Sequence, residues 1–194
     1  MRAWLGLVLF VGTASADPHD LVDVTTVIPD AVIDMRYATK DNFVGEAVYP
    51  KATCKLRRDV AERLAKAATL LRARDRRLLL WDCYRPSSIQ KRFWELVPDE
   101  RYVADPKKGS RHSRGAAVDI GLVAMDGSPV TLPTQFDDFT AAAHRKRALV
   151  GTKGREAKQL ATAMTSVGFI GLPTEWWHFD APNASKSALS DLPL

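Results

Sequence analysis

Apolar residues recur at helical spacing in two separate stretches of the chain. The first stretch predicts an amphipathic helix over residues 56–74. Its apolar positions are Leu56, Val60, Leu64, Ala67 and Leu71. The second stretch predicts a helix over residues 157–167. Its apolar positions are Ala157, Leu160, Ala161, Met164 and Val167. Gly168 follows at once and is placed to end this helix in a left-handed conformation.

Short apolar runs between turn-forming residues predict the strands. They cover residues 21–28, 31–37, 77–83, 117–123 and 175–179. Residues 40–51, with Asn, Gly and Pro, predict a loop. Ser87 and Gln90 have the spacing of a capping box, which predicts another helix ending before Pro98. Because helices and strands are mixed without a repeated strand–helix–strand order, the pattern predicts an α+β fold.

The composition is that of one folded globular domain. The chain has 194 residues, of which 46% are hydrophobic and 26% charged, so a mainly disordered or collagen-like chain is excluded. The formal net charge is +5, but the basic residues are dispersed and no nucleic-acid-binding module accompanies them. We therefore expect no nucleic-acid partner. We also expect no membrane span in the mature protein, because no apolar run reaches the required length of roughly 18–20 residues.

Residues 1–16 have the layout of a secretory signal peptide. A short basic start, Met1-Arg2, precedes an apolar run over residues 3–12, and small residues then lead to Ala16. A buried first helix and a membrane anchor are the alternatives, but the run is short and polar residues follow it at once. We expect cleavage near Ala16, a folded domain over residues 17–194, and export to the periplasm or secretion.

Export changes the interpretation of the two cysteines. An oxidising compartment favours a disulfide between Cys54 and Cys83. The alternative is a pair of buried free thiols, which would pack as small hydrophobic side chains. A cysteine nucleophile is disfavoured because no local sequence pattern points to one.

Two short segments carry the candidate chemistry, residues 110–119 and residues 175–178. A catalytic zinc site uses three protein ligands with N and O donors, and His112, Asp119 and His178 supply such a set. Glu175 then remains as a base for water. The odd spacing from His112 to Asp119 would place them on opposite faces of a flat strand, so we expect a bend at Gly115. The same argument predicts a kink or strand end between Glu175 and His178.

The spacing alone leaves alternatives open, because a lone histidine is more often a hydrogen-bonded structural residue than a ligand. His144 is a competing ligand, but its basic neighbours over residues 145–147 are typical of a solvated face. His19 lies near the expected mature terminus, where chains are often poorly ordered.

The motifs together resemble the D-alanyl-D-alanine dipeptidases of the vancomycin-resistance type. Residues 110–119 read Ser-x-His-x-x-Gly-x-Ala-x-Asp, and residues 175–178 read Glu-x-Trp-His. Residues 34–45 resemble the Tyr-Ala-Thr-x-Asn-Phe segment of that family, and residues 81–86 its Trp-Asp-Gly-Tyr-Arg-Pro segment. Phe136-Asp137 matches a Phe-Asp pair between the metal motifs. One clear departure is Cys83, where the vancomycin-resistance enzyme has Gly.

This resemblance implies an exported or cytoplasmic enzyme that hydrolyses D-alanyl-D-alanine with one zinc ion per chain. It implies a central, mostly antiparallel sheet flanked by helices, with the zinc site at the sheet, as in zinc D,D-peptidases and hedgehog-like folds. The resemblance implies that His112, Asp119 and His178 bind zinc and that Glu175 is the acid–base catalyst. It implies that Arg85 stabilises the oxyanion. It also implies that Tyr37 and Asp137 bind the substrate ammonium and that Ser110 binds the substrate carboxylate.

Three questions stay open at this point. Arg85 could instead form a structural ion pair, for instance with Asp82. Asp137 competes with Asp138, since only one of two adjacent side chains faces a site if the segment is extended. The enzyme could also be a related zinc D,D-carboxypeptidase or an L-Ala-D-Glu endopeptidase acting on longer wall peptides. A non-catalytic binder is disfavoured, because a binder needs no base at Glu175.

Overall fold

A computed structural model describes residue 17 and residues 19–194, so the predicted signal peptide lies outside the described residues. The strands are β1 (Leu21–Asp23), β2 (Val32–Ile33), β3 (Lys55–Arg57), β4 (Arg76–Asp82), β5 (Ala117–Ala124), β6 (Ile170–Gly171) and β7 (His178–Asp180). The helices are α1 (Arg58–Arg72), α2 (Ser87–Leu96), α3 (Arg145–Ala148) and α4 (Arg155–Ser166). Short 3₁₀ turns cover Val24–Thr26, Arg36–Ala38, His112–Arg114 and Ala184–Lys186.

The strands form two sheets. The central sheet has five strands in the order β2-β4-β5-β7-β6, and β1 pairs with β3 in a separate two-stranded sheet. All neighbouring pairs are antiparallel except β2 and β4, which are parallel. Helices α1 and α4 pack against each other and against β4 and β5. The α+β prediction with a mostly antiparallel central sheet is therefore confirmed.

The strongest sequence patterns match the structure. Both long amphipathic helices form, and Gly168 follows α4 with φ of +92°, as expected for a left-handed end. β5 lies inside the central sheet and is buried along all but its last residue, which explains its continuous apolar sequence. In the described part of the chain, no helix combines the length and apolar character needed to cross a membrane.

Three of the predicted strands are wrong in extent, and one of them is the last, which was expected over 175–179 but covers His178–Asp180. The strand expected over 21–28 stops at Asp23, whose carboxylate accepts a hydrogen bond from the Thr25 backbone N–H at 2.9 Å and starts a 3₁₀ turn. The strand expected over 31–37 is only two residues long, because the chain turns again at Arg36–Ala38. Alternating apolar residues do not distinguish such turns from continued strand, whether a side chain caps the turn, as at Asp23, or none does, as at Met35.

The expected capping box is also wrong, although α2 begins and ends where the sequence predicted. The Ser87 hydroxyl donates to the Ser190 carbonyl at 2.8 Å instead of capping the helix. The Gln90 side chain donates to the Ala104 carbonyl at 2.7 Å and accepts a hydrogen bond from Arg85. Both side chains therefore make tertiary contacts.

The disulfide between Cys54 and Cys83 is present, with the two Cα atoms 5.2 Å apart. Cys54 immediately precedes β3 and Cys83 immediately follows β4. The bond therefore links the small sheet to the end of a central strand.

Candidate metal centre and active site

The turn before β5 places His112 beside Asp119. Residues His112–Arg114 form a 3₁₀ turn that ends at Gly115, which has φ of +60°. A side chain at this position would be strained, and its Cβ would lie only 2.6 Å from Leu21 Cδ2. The bend predicted at Gly115 is therefore confirmed.

Three ligand atoms face one another at the centre of the site. Asp119 and His178 lie directly opposite each other on β5 and β7, with His178 Nδ1 2.9 Å from Asp119 Oδ1. His112 Nε2 lies 3.2 Å from His178 Nδ1 and 3.4 Å from Asp119 Oδ2. Tetrahedral zinc with ligand bonds of about 2.0–2.2 Å needs donor separations of about 3.3 Å. The donor set fits a tetrahedral metal ion.

The outer ring nitrogens of both histidines have fixed partners. His112 Nδ1 donates to the Cys83 carbonyl at 2.7 Å, and His178 Nε2 donates to Asp180 Oδ1 at 3.0 Å. Such partners set the orientation of metal-binding imidazoles and the nitrogen that stays free. His112 Nε2 and His178 Nδ1 are thereby left to face the carboxylate of Asp119.

The electrostatics of the cluster favour a bound cation. Burial disfavours the charged Asp119 carboxylate, but His112 and His178 outweigh burial and hold its pKa well below the usual range. Burial also disfavours a charged His178, yet hydrogen bonds with Asp119 and Asp180 outweigh it and raise the pKa to about 10. A metal ion would replace that proton, since a histidine ligand must be neutral.

Glu175 lies just before β7 and next to the candidate metal ligands. The strand begins only at His178, so the expected strand end between the two residues is confirmed. Glu175 Oε2 lies 3.9 Å from His178 Nδ1, and the residue is 6% exposed. Burial raises the pKa of Glu175 to about 8; Asp119 adds to the rise and His178 opposes it. A carboxylate with a raised pKa beside a metal centre is suited to proton transfer.

Arg85 lines the same pocket and is fixed by two partners. Its Nη2 and Nε donate to Asp82 Oδ2 at 2.5 and 3.0 Å, and its Nη1 donates to Gln90 Oε1 at 2.7 Å. The ion pair with Asp82 therefore exists, and the guanidinium that it holds still lines the pocket.

Tyr37 and Asp137 meet across the pocket. The Tyr37 hydroxyl lies 3.2 and 3.1 Å from the two carboxylate oxygens of Asp137 and donates to them. Asp137 has φ of +59°, so the segment is not extended and side-chain alternation does not decide which aspartate faces the site. Asp138 instead accepts a hydrogen bond from the Thr140 backbone N–H at 2.9 Å. Burial, with Asp119 and Glu175 nearby, raises the pKa of Asp137 well above its usual value.

These groups share one small pocket. Its volume is about 200 Å³, below the roughly 300–1,000 Å³ typical of drug-sized ligands. It is lined by all eight predicted functional side chains: Tyr37, Arg85, Ser110, His112, Asp119, Asp137, Glu175 and His178. Aromatic walls complete it: Phe43, Phe93, Tyr102 and Phe139. Ser110 is buried, and its Oγ accepts a hydrogen bond from the His112 backbone N–H at 3.2 Å.

Sequence comparison agrees with this geometry. The family described as D-ala-D-ala dipeptidase, peptidase M15, matches the chain over residues 17–191. The chain belongs to this peptidase family. It is 35% identical over 175 residues to the D-alanyl-D-alanine dipeptidase of Escherichia coli K12, covering 90% of this chain and 91% of that one. It is 30% identical to the D-alanyl-D-alanine dipeptidase of Enterococcus faecium, covering 75% of this chain and 83% of the relative.

Sequence reasoning missed one structural feature of this M15 peptidase. Arg145 was expected on a solvated face, but it contacts both ends of the loop that carries Glu175. Its Nε donates to the Leu172 carbonyl at 3.0 Å and its Nη2 to the His178 carbonyl at 2.8 Å. Burial lowers the pKa of Arg145 to about 10. The sequence did not indicate this role, because Arg145 belongs to a run of three basic residues and the other two, Lys146 and Arg147, are exposed.

His144 does not join the metal cluster. Among the described residues, the three side chains that could hold a metal ion together are His112, Asp119 and His178. His144 is the residue before α3 and is partly buried.

Proposed function

We propose that this chain hydrolyses D-alanyl-D-alanine to two D-alanines, with one zinc ion held by His112, Asp119 and His178. The observation that carries the proposal is the convergence of three buried ligand atoms within 4.8 Å, beside a buried carboxylate, in a pocket sized for a small ligand. The names of the relatives from Escherichia coli and Enterococcus faecium support the same substrate.

Glu175 is the general base and then the general acid. When bound, zinc supplies Lewis-acid chemistry that polarises the substrate carbonyl and makes water a better nucleophile. Glu175 takes a proton from the attacking water and delivers it to the leaving amine, because it is the buried carboxylate next to the ligands. One residue can perform both transfers because the proton that it accepts is the one that the amine needs.

Arg85 stabilises the negative charge that develops on the carbonyl oxygen. A guanidinium remains protonated at any relevant pH, and Asp82 and Gln90 hold it in place before substrate arrives. Preorganised charge of this kind contributes most when the site is closed to water. Arg85 is 7% exposed, which meets that condition.

The remaining polar groups orient the dipeptide. Asp137 and Tyr37 lie together and bind the free ammonium, and Ser110 binds the carboxylate at the other end. A longer wall peptide has an amide in place of that ammonium, so it loses the charged partner of Asp137. This arrangement favours a free dipeptide over the substrates of carboxypeptidases and endopeptidases.

We further propose that residues 1–16 direct export and are removed near Ala16, so that the enzyme acts in the periplasm or outside the cell. The disulfide between Cys54 and Cys83 supports this location, because disulfides persist in oxidising compartments. There the enzyme would take part in cell-wall peptide metabolism or turnover.

The deciding experiment uses the mature protein, residues 17–194, loaded with zinc. It is assayed on D-Ala-D-Ala, L-Ala-L-Ala and a wall pentapeptide, with free amino groups measured over time. We expect rapid cleavage of D-Ala-D-Ala and little cleavage of the other two. Comparable or faster cleavage of the pentapeptide would transfer the assignment to a carboxypeptidase or endopeptidase.

A further inference from the structure

The disulfide between Cys54 and Cys83 lies next to His112, one of the three candidate metal ligands. Cys54 and Cys83 are 1% and 0% exposed. β4 ends at Asp82, after an irregularity in its pairing with β5 between Leu80 and Asp82. Cys83 is therefore the first residue beyond the regular ladder, and its position is not set by strand pairing.

Cys83 contacts the site through both of its backbone polar groups. Its carbonyl accepts the 2.7 Å hydrogen bond from His112 Nδ1, which orients the metal-binding ring. Its N–H donates to Asp82 Oδ1 at 2.9 Å, and the other oxygen of Asp82 binds Arg85. The placement of one residue thus affects both a metal ligand and the proposed oxyanion-stabilising group.

Two connections hold the peptide unit between Cys83 and Tyr84 to the small sheet. One is the disulfide to Cys54, and the other is a hydrogen bond of 2.8 Å from the Tyr84 N–H to the Lys55 carbonyl. Without the disulfide, the backbone hydrogen bond at Tyr84 would remain as the link at this point. The carbonyl that orients His112 would then be held to the small sheet by that single hydrogen bond, beside the 3.2 Å hydrogen bond from the Arg85 N–H to the His112 carbonyl.

We propose that the disulfide between Cys54 and Cys83 is a positioning element for His112, so that it sets the affinity of the site for zinc in addition to stabilising the fold. This inference rests on the zinc site proposed above. Removing an outer partner of a metal ligand typically lowers metal affinity by about 10–100-fold. Loss of the disulfide loosens the partner of His112, and we expect a decrease of about tenfold or more.

The test compares two variants of the mature protein. Cys54→Ala/Cys83→Ala removes the disulfide and leaves every metal ligand in the sequence. Leu71→Ala is the matched control, because Leu71 is fully buried and lies near the far end of α1, about 20 Å along the helix from its start. Both variants should lower the melting temperature.

The readout is the dissociation constant for Zn²⁺, measured on metal-free protein by competition with a chromophoric chelator at a temperature where all proteins are folded. We expect the double cysteine variant to bind zinc at least about tenfold more weakly than wild type. Leu71→Ala should bind with wild-type affinity despite its lower melting temperature. If both variants bind zinc like wild type, the disulfide only stabilises the fold and the inference is wrong.

Two further outcomes are distinguishable. If wild-type protein does not bind one zinc ion, the zinc site of the proposed function fails, whatever the cysteine variants do. If the double alanine variant does not fold, Cys54→Val/Cys83→Ala replaces part of the lost volume with apolar atoms and is measured in the same way. Wild-type affinity in that folded variant would equally overturn the positioning role.

Discussion

Asp119 on β5 and His178 on β7 are direct cross-strand partners, and His178 Nδ1 lies 2.9 Å from Asp119 Oδ1. Two candidate ligands separated by 59 residues in sequence are thus placed together by the register of a single strand pair. A shift of one residue in that register would turn one of the two side chains to the opposite face of the sheet. The candidate metal site therefore forms only when these two strands pair in the correct register.

The first prediction concerns the ligand set. His178→Ala should lose both tightly bound zinc and dipeptidase activity, because it removes one of three protein ligands. Metal content is measured by atomic spectroscopy after dialysis, together with activity. His144→Ala is the control, since His144 lies outside the ligand cluster and should keep both properties. One tightly bound zinc in folded His178→Ala would show that the ligand assignment is wrong.

The second prediction concerns the base. Glu175→Ala should keep zinc but lose hydrolysis by more than the roughly 10²–10⁴-fold attributable to proton transfer alone, because electrostatic support is lost as well. The measurement is kcat for zinc-loaded protein with confirmed metal content. Glu156→Gln is a matched control: Glu156 is also a buried glutamate, but it pairs with Arg76 outside the pocket and should leave kcat unchanged. Near-normal turnover of zinc-loaded Glu175→Ala would exclude the role.

The third prediction concerns recognition of the ammonium. N-acetylation of the dipeptide removes the positive charge that pairs with Asp137. We therefore expect kcat/KM to fall at least about 100-fold relative to free D-Ala-D-Ala. This decrease corresponds to about 2.7 kcal/mol, at about 1.36 kcal/mol for each tenfold change in rate. Asp137→Asn should shrink this ratio, mainly by impairing the free dipeptide. Asp138→Asn should leave the ratio unchanged, because Asp138 binds the Thr140 backbone. If the ratio of kcat/KM for the free and acetylated dipeptides is unchanged in Asp137→Asn, Asp137 does not bind the ammonium.

The fourth prediction concerns stability against pH. Arg76 holds the pKa of Glu156 below its usual value through a side-chain hydrogen bond. Because the folded-state pKa is lowered, this pair stabilises the protein above the unfolded value of about 4.3, and the stabilisation is lost as pH falls through the folded value. Glu156→Gln should cost about 1–3 kcal/mol at pH 7 and reduce the fall in stability below about pH 4.5.

The measurement is thermal unfolding of metal-free protein between about pH 3 and pH 7, a range that brackets carboxylate titration. Glu46→Gln is the control, because the pair between Glu46 and Arg92 has side chains that are 51% and 49% exposed. Such exposed pairs contribute about 0–1 kcal/mol. Equal losses in the two variants would show that burial of Glu156 adds nothing.

The sequence was sufficient where local pattern and chemistry agree. Helical periodicity located α1 and α4, and side-chain parity predicted the bend at Gly115 before Asp119. Both inferences rest on backbone geometry that a short segment determines by itself.

Tertiary contacts account for what the sequence did not reveal. Gln90 has the spacing of a capping residue, yet its side chain accepts a hydrogen bond from Arg85. This contact arises because the end of β4 and the start of α2 meet only in the folded chain. Asp137 faces the pocket through a left-handed turn and not through strand alternation. Arg145 binds backbone carbonyls, which have no residue-specific signature in sequence.

The contact between Arg145 and Gly171 has an evolutionary consequence. A Cβ at residue 171 would overlap the guanidinium of Arg145, whose position is fixed by the carbonyls of Leu172 and His178. A side chain at 171 would therefore require either a shorter residue at 145 or loss of the two hydrogen bonds that hold the Arg145 guanidinium. Among descendants of a common ancestor, substitutions at these two sites should occur on the same branches.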